Sequence, residues 1–137
     1  MTTKQWLNRG RKIDQEIDKL IESRAALMDR LTSITQNYDS DGAQSTKDPH
    51  KFDRLAEFSG EIDELTERLV EVKTEITAVI NQLPDRRQRM VLMSYYIDGK
   101  TWEQTAVDLH YSYMHVMRIH GYALQEIEGI IRLNVIK

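Results

Sequence analysis

Between Leu55 and Leu83, apolar residues recur at alternating steps of three and four: Leu55, Phe58, Ile62, Leu65, Leu69, Val72, Ile76, Val79 and Leu83. Steps averaging 3.5 residues keep all nine on one stripe of an α-helix, and no strand period fits them. One helix is expected from about Pro49 to Gln82. A second, less regular stripe precedes it. Ile13, Ile17, Leu20, Leu27, Leu31 and Ile34 share a face, Ile21 and Met28 widen it, and Trp6, Gly10 and Arg24 fall in the same register. This predicts a helix over Trp6 to Ile34. Gly10 and Arg24 weaken the stripe, although Arg24 can bury its stem and keep its charge in water.

The segment between the two stripes, 37–50, is polar and carries Asp, Ser, Gly and a Pro, which predicts a loop. Its Asp39-Ser40-Asp41-Gly42 stretch resembles a calcium loop, but the spaced oxygen ligands and the closing Glu are missing. Two long helices joined by such a connector predict an antiparallel, coiled-coil-like hairpin over 1–83. Two helices cannot bury both stripes fully, so a partner is expected: a second copy, the C-terminal domain or a different protein, with a homodimer through the hairpin the commonest solution.

Composition narrows the class. No wholly apolar run exceeds four residues, as at Met90–Met93, far short of the ~20 a membrane span needs. Met1 to Arg11 holds no apolar run of signal-peptide type. With no Cys, disulfides and thiolate metal sites are excluded, and a cytoplasmic chain with no membrane association is expected. Net charge is -3, but it is uneven. Residues 1–83 hold 12 Lys+Arg against 16 Asp+Glu, whereas 84–137 hold 7 against 6 and three of the four His. The C-terminal part is therefore the side better suited to phosphate.

Pro84 disfavours helical geometry at Leu83 and ends the long helix there. It is expected to open the next helix, which carries Arg86, Arg87 and Arg89 and then Met90, Val91, Leu92, Tyr95 and Tyr96. Asp98-Gly99 makes a turn. Thr101 and Gln104 form a capping box for a short helix whose inner face is Trp102, Thr105, Ala106 and Leu109. His110 sits where the chain must turn in a left-handed conformation. Ser112 caps a last helix with a buried stripe of Val116, Ile119, Ala123, Leu124 and Ile127. Two helices joined by so tight a turn, with Ala106 at their close approach, have the spacing of a helix-turn-helix. The apolar cluster that ends the chain, Ile127, Ile130, Ile131, Leu133, Val135 and Ile136, suits either packing back on the hairpin or a part of the dimer seam.

These residues resemble the fourth conserved region of bacterial sigma factors. The matching positions are Leu83-Pro84, Met90-Val91-Leu92, Tyr95, Gly99 through Ala106, Leu109, Ser112, Val116, Arg118-Ile119 and Ala123-Leu124. His110 stands where that family usually has Gly, and Thr105 where it has a larger apolar residue. The last helix opens Tyr-Met-His, where the family has Arg and Glu. With its helical hairpin, the whole chain is similar to small phage and prophage transcriptional regulators. The resemblance implies an all-α fold, with a hairpin followed by a sigma-like domain at 84–137, and double-stranded DNA as partner.

A reading helix in the major groove points its N-terminal side chains at base edges. The expected base contacts are Tyr113, Met114, Met117 and Arg118, with Arg118 the best match to guanine. Lys100, Thr101, Ser112, His115, Arg86, Arg87 and Arg89 are the expected phosphate contacts. His115 and His120 lie five apart, a poor metal-chelating spacing on a helix. No nucleophile constellation, phosphate loop or paired His ligands occur, so neither enzymatic activity nor a cofactor is expected. Two other classes fit the same pattern. A small terminase-like packaging subunit also joins a helix-turn-helix to a helical oligomerisation region, and an adaptor would bind RNA polymerase or another host protein.

Overall fold

The computed structural model describes residues 1–39, 50 and 52–136, with the side chains of 34–39, 135 and 136 left out. Among these residues the fold is all-α, as expected. Helix α1 spans Thr3–Leu7, α2 Arg9–Asp39, α3 Asp53–Ile80, α4 Arg86–Leu92, α5 Trp102–Leu109 and α6 Tyr113–Ile136. A π-helical turn, Met93–Ile97, continues α4. No helix among the described residues is long and apolar enough to cross a membrane.

The chain divides into two compact units. One holds Ile13–Arg68, and the other holds Met1–Lys12 with Leu69–Lys137. The second unit therefore takes in both ends of the expected hairpin, where the sequence suggested a boundary at residue 83. The reason is packing: Leu7, Ile76, Ile80 and Leu83 are as fully buried as Val91, Leu92 and Ile127.

In the first unit, α2 and α3 bury Ile13, Ile17, Leu55, Phe58 and Ile62. Leu20, Leu27, Leu31 and Leu65 stay only half-buried on the same stripes. Arg24 Nη1 donates to Ser59 Oγ at 3.2 Å, which gives the charged head of this seam residue a partner across the hairpin. Helix α2 runs to Asp39, so the connector starts later than residue 37. Residues 40–49, including most of the Asp39–Gly42 stretch, lie outside the described residues.

Three local expectations are corrected in the second unit. The first helix is interrupted at Asn8, which closes a separate short α1 that the Thr2–Gln5 capping box opens upstream of Trp6. Pro84 does not open α4. Asp85 caps it, its carboxylate accepting from the Arg87 amide at 2.8 Å, so the helix begins at Arg86. That hydrogen bond, more than the Arg87 charge, holds the Asp85 carboxyl below its ordinary range. Third, the helix expected to carry Tyr95 and Tyr96 is α-helical only to Leu92 and widens there into the π turn, whose Asp98 amide reaches back to the Met93 carbonyl at 2.9 Å.

Other expectations hold. Thr101 and Gln104 form the reciprocal capping box of α5. Gly99 has φ +74, as its turn requires. His110 closes α5 at φ 60 and ψ 38, in the left-handed region, with its amide bonded to Val107 O at 3.2 Å. A side chain with a Cβ is disfavoured there by roughly 1 kcal/mol. His110 is exposed. His110→Gly is expected to stabilise the fold by about 0.5–1 kcal/mol, read as a raised urea midpoint with unchanged slope.

Candidate nucleic-acid interface

The interface is built on α5, α6 and the turn between them. Val91, Ala106, Val116 and Ile119 form its core, and Trp102, Leu109, Tyr111 and Met117 pack against them. Ala106 is buried where α5 meets α6, the small residue that close approach demands. Ser112 Oγ accepts from the His115 amide at 3.1 Å and so caps α6.

Beneath this core lies a polar and aromatic layer that the sequence did not disclose. Thr105 Oγ1 donates to the Thr101 carbonyl at 2.9 Å and so takes the Ser94 hydroxyl proton at 2.8 Å. Both residues are buried, which accounts for a hydroxyl at position 105 where the resemblance has a larger apolar side chain. Tyr95 and Trp102 stack in parallel at 3.7 Å between centroids. The Arg11 guanidinium lies 4.0 Å above the Tyr95 ring and donates to the Tyr95 and Lys100 carbonyls at 2.8 and 3.3 Å. The start of α2 is thereby tied to the loop that leads into α5. Gly10 packs in the same place, and a Cβ there would meet Lys73 Cγ at 3.5 Å and the Tyr96 carbonyl at 3.7 Å, ordinary contacts.

Tyr96 and His120 form the second buried pair, Oη to Nε2 at 2.7 Å. Burial pushes the Tyr96 phenol well above its usual value. Burial first, and then the charge of Lys4, lower His120 to about 4. At neutral pH both groups are uncharged, and His120 is a packing residue of α6. Among the described residues no group of three or more His, Asp or Glu could hold a metal ion.

The expected contact residues divide by exposure. Tyr113, Met114 and Arg118 are exposed, with Tyr113 at 45% and Met114 at 69%. Met117 is half-buried against the core. His115 is half-buried, and its ring meets Tyr111 edge-on at 4.8 Å. Of the phosphate candidates, Arg86 is exposed and Arg87 lies 3.6 Å from Asp85. Arg89 Nη1 donates to the Leu83 carbonyl at 2.6 Å and braces the start of α4. Lys100 is bonded to Asp108 at 2.6 Å, which holds its ammonium above the usual pKa. The hydroxyl oxygens of Thr101 and Ser112 already accept the Gln104 and His115 amides, which leaves their hydroxyl protons and the two earlier amides of each first turn for a ligand. Tyr122, 59% exposed, was missed. Its signal was available, since Met114, Arg118 and Tyr122 fall four apart and share one outward stripe.

Helices α4 to α6, with the left-handed turn at His110 and the capped start of α6, define a helix-turn-helix of the DNA-binding class. Residues 79–128 match the family model for sigma-70, region 4. The match covers the segment that contains all three helices through Glu128, and the likeness belongs to that segment. No curated protein and no solved structure matches the chain.

Proposed function

We propose that this chain is a sequence-specific, DNA-binding transcription regulator of phage or prophage origin, acting as a dimer through its hairpin. The observation that carries the reading is the exposed stripe Met114, Arg118 and Tyr122, which begins in the first turn of a helix capped by Ser112. A helix presented in this way suits the major groove. Arg118 supplies guanine readout, and Tyr113 and Met114 supply apolar contact to thymine methyls and sugars. Arg86 and Arg87 reach phosphate, as do the amides at the starts of α5 and α6.

Few cations face the DNA, so a single copy binds weakly, and two linked copies gain affinity through effective concentration. Selection of bound sequences from random duplex DNA, combined with native mass, tests the reading. A two-fold site bound by a dimer supports it. A multi-subunit ring would point to a packaging subunit, and absence of any DNA shift at low salt would overturn it. A second reading, an adaptor that docks on RNA polymerase, draws on the exposed apolar side chains Val107, at 73%, and Met114. Retained polymerase capture with no DNA binding would favour it. Within the DNA reading, Arg86→Ala is expected to weaken all duplexes alike and to lower the slope of log affinity against log salt by about 1.

A further inference from the structure

The α2–α3 hairpin carries an open groove of about 520 Å³ lined by Glu16, Lys19, Leu20, Glu61, Glu64, Leu65 and Arg68. Leu20 and Leu65 are half-buried at its floor, and the charged residues are exposed. Among the described residues none of Glu16, Lys19, Glu64 and Arg68 forms an ion pair within the chain. The contact between Arg24 and Ser59 sets the level of the two helices. Residues whose numbers sum to about 83 therefore lie opposite each other in an antiparallel pair. By that register Lys19 lies level with Glu64, and Glu16 with Arg68, on opposite rims.

We propose that a second copy of this chain fills the groove, with the two-fold axis parallel to the helices. That axis keeps the level of every residue and lays α2 of each copy on α3 of the other. Lys19 then faces Glu64 of the second copy, and Glu16 faces its Arg68, each pair occurring twice. Leu20 and Leu65 of the two copies meet in the middle. The alternative, an axis across the helices, sets α2 against α2 and α3 against α3; it pairs Lys19 with Glu16 and Glu64 with Arg68, never Lys19 with Glu64, so the mixing experiment below separates the two axes. The parallel arrangement also lets both chains leave the hairpin at the same end, as two reading helices on one DNA site require.

This inference rests on the dimer in the proposed function, and a mixing experiment on full-length chains separates the two. Lys19→Glu and Glu64→Lys each place like charges at both symmetric contacts. Each variant alone is expected to dissociate about 10-fold more readily than the parent. Mixed together they make both contacts between positions 19 and 64 attractive again, one in each sense, with the two Glu16–Arg68 contacts unchanged, and the heterodimer is expected to regain parental affinity. No effect within one chain reproduces that rescue. Ile21→Glu and Met28→Glu, on the opposite flank of α2 where these side chains are 40% and 48% exposed, are expected to leave the dimer intact. A parental dimer without rescue on mixing, or one broken by the Ile21 and Met28 changes instead, overturns the groove assignment and leaves the dimer reading standing. A monomeric parent overturns both. DNA selection, read separately, tests the regulator reading independently.

Discussion

Acidification from pH 7 to pH 4 is expected to destabilise the folded chain by about 3 kcal/mol through His120 alone. The folded value of about 4 lies below the ordinary 6.5, because burial disfavours the imidazolium and Lys4 repels it. Above pH 6.5 both folded and unfolded chains hold a neutral ring, and stability is full. Between 6.5 and 4 the unfolded chain takes up the proton and the folded chain resists it, so stability falls with pH, by at most ~1.4 kcal/mol per unit. About 2 kcal/mol is lost by pH 5, before most carboxylates titrate. Urea unfolding at pH 7, 6 and 5 reads the slope directly. His120→Gln keeps a polar group beside Tyr96 Oη and removes the titration, so its curve is expected to be flat over this window. An equal slope in parent and variant would place the acid-sensitive group elsewhere. Tyr96, His120 and Trp102 bring the π turn, α6 and the first residue of α5 together, with Trp102 and His120 centroids 4.5 Å apart. Protonation of this ring therefore loosens the helix-turn-helix itself.

Arg118→Ala is expected to cost about 1–3 kcal/mol on the selected DNA site and to relax preference at one base pair. The side chain is exposed, and among the described residues no hydrogen bond or ion pair holds its guanidinium. Its fork is free to meet two acceptors on a guanine edge. Stability should stay within ~0.5 kcal/mol of the parent, since a solvated helix surface is altered. The contrast with Arg86→Ala is in the pattern: Arg118 changes which sequence is chosen, whereas Arg86 changes how salt weakens every sequence. Competition between the selected duplex and its single-base variants provides the measurement. Unchanged affinity and unchanged base preference would move the reading surface off this part of α6.

Much of the helix-turn-helix was legible because its signals are local. A Thr and a Gln three apart make a capping box, a Ser caps the helix that follows it, and a short turn forces a left-handed residue. The stripes of α2 and α3 were legible for a similar reason, since periodicity survives without knowledge of partners. The correction at the start of α4 came from caps that compete over neighbouring residues, Asp85 against Pro84, whereas the one-residue interruption at Asn8 leaves the apolar stripe in register on both sides of it. What stayed hidden depends on distant residues. Arg11 meets carbonyls at positions 95 and 100, and Tyr96 meets His120, with no sequence period linking them. The π turn at Met93–Ile97 was hidden as well, because the apolar run Met90–Met93 and the Tyr95–Ile97 run beside it are too short and too uniformly apolar to show the shift in phase that an extra residue brings.

The hydroxyl pair of Ser94 and Thr105 has a consequence for how such chains diverge. Thr105→Val alone strands a buried Ser94 hydroxyl and costs ~1–3 kcal/mol, whereas the same change together with Ser94→Ala removes both partners and comes near to neutral. A lineage that drifts by single steps must cross that dip or take both changes at once. Homologous chains should accordingly carry two hydroxyls or two apolar side chains at these positions, and seldom one of each.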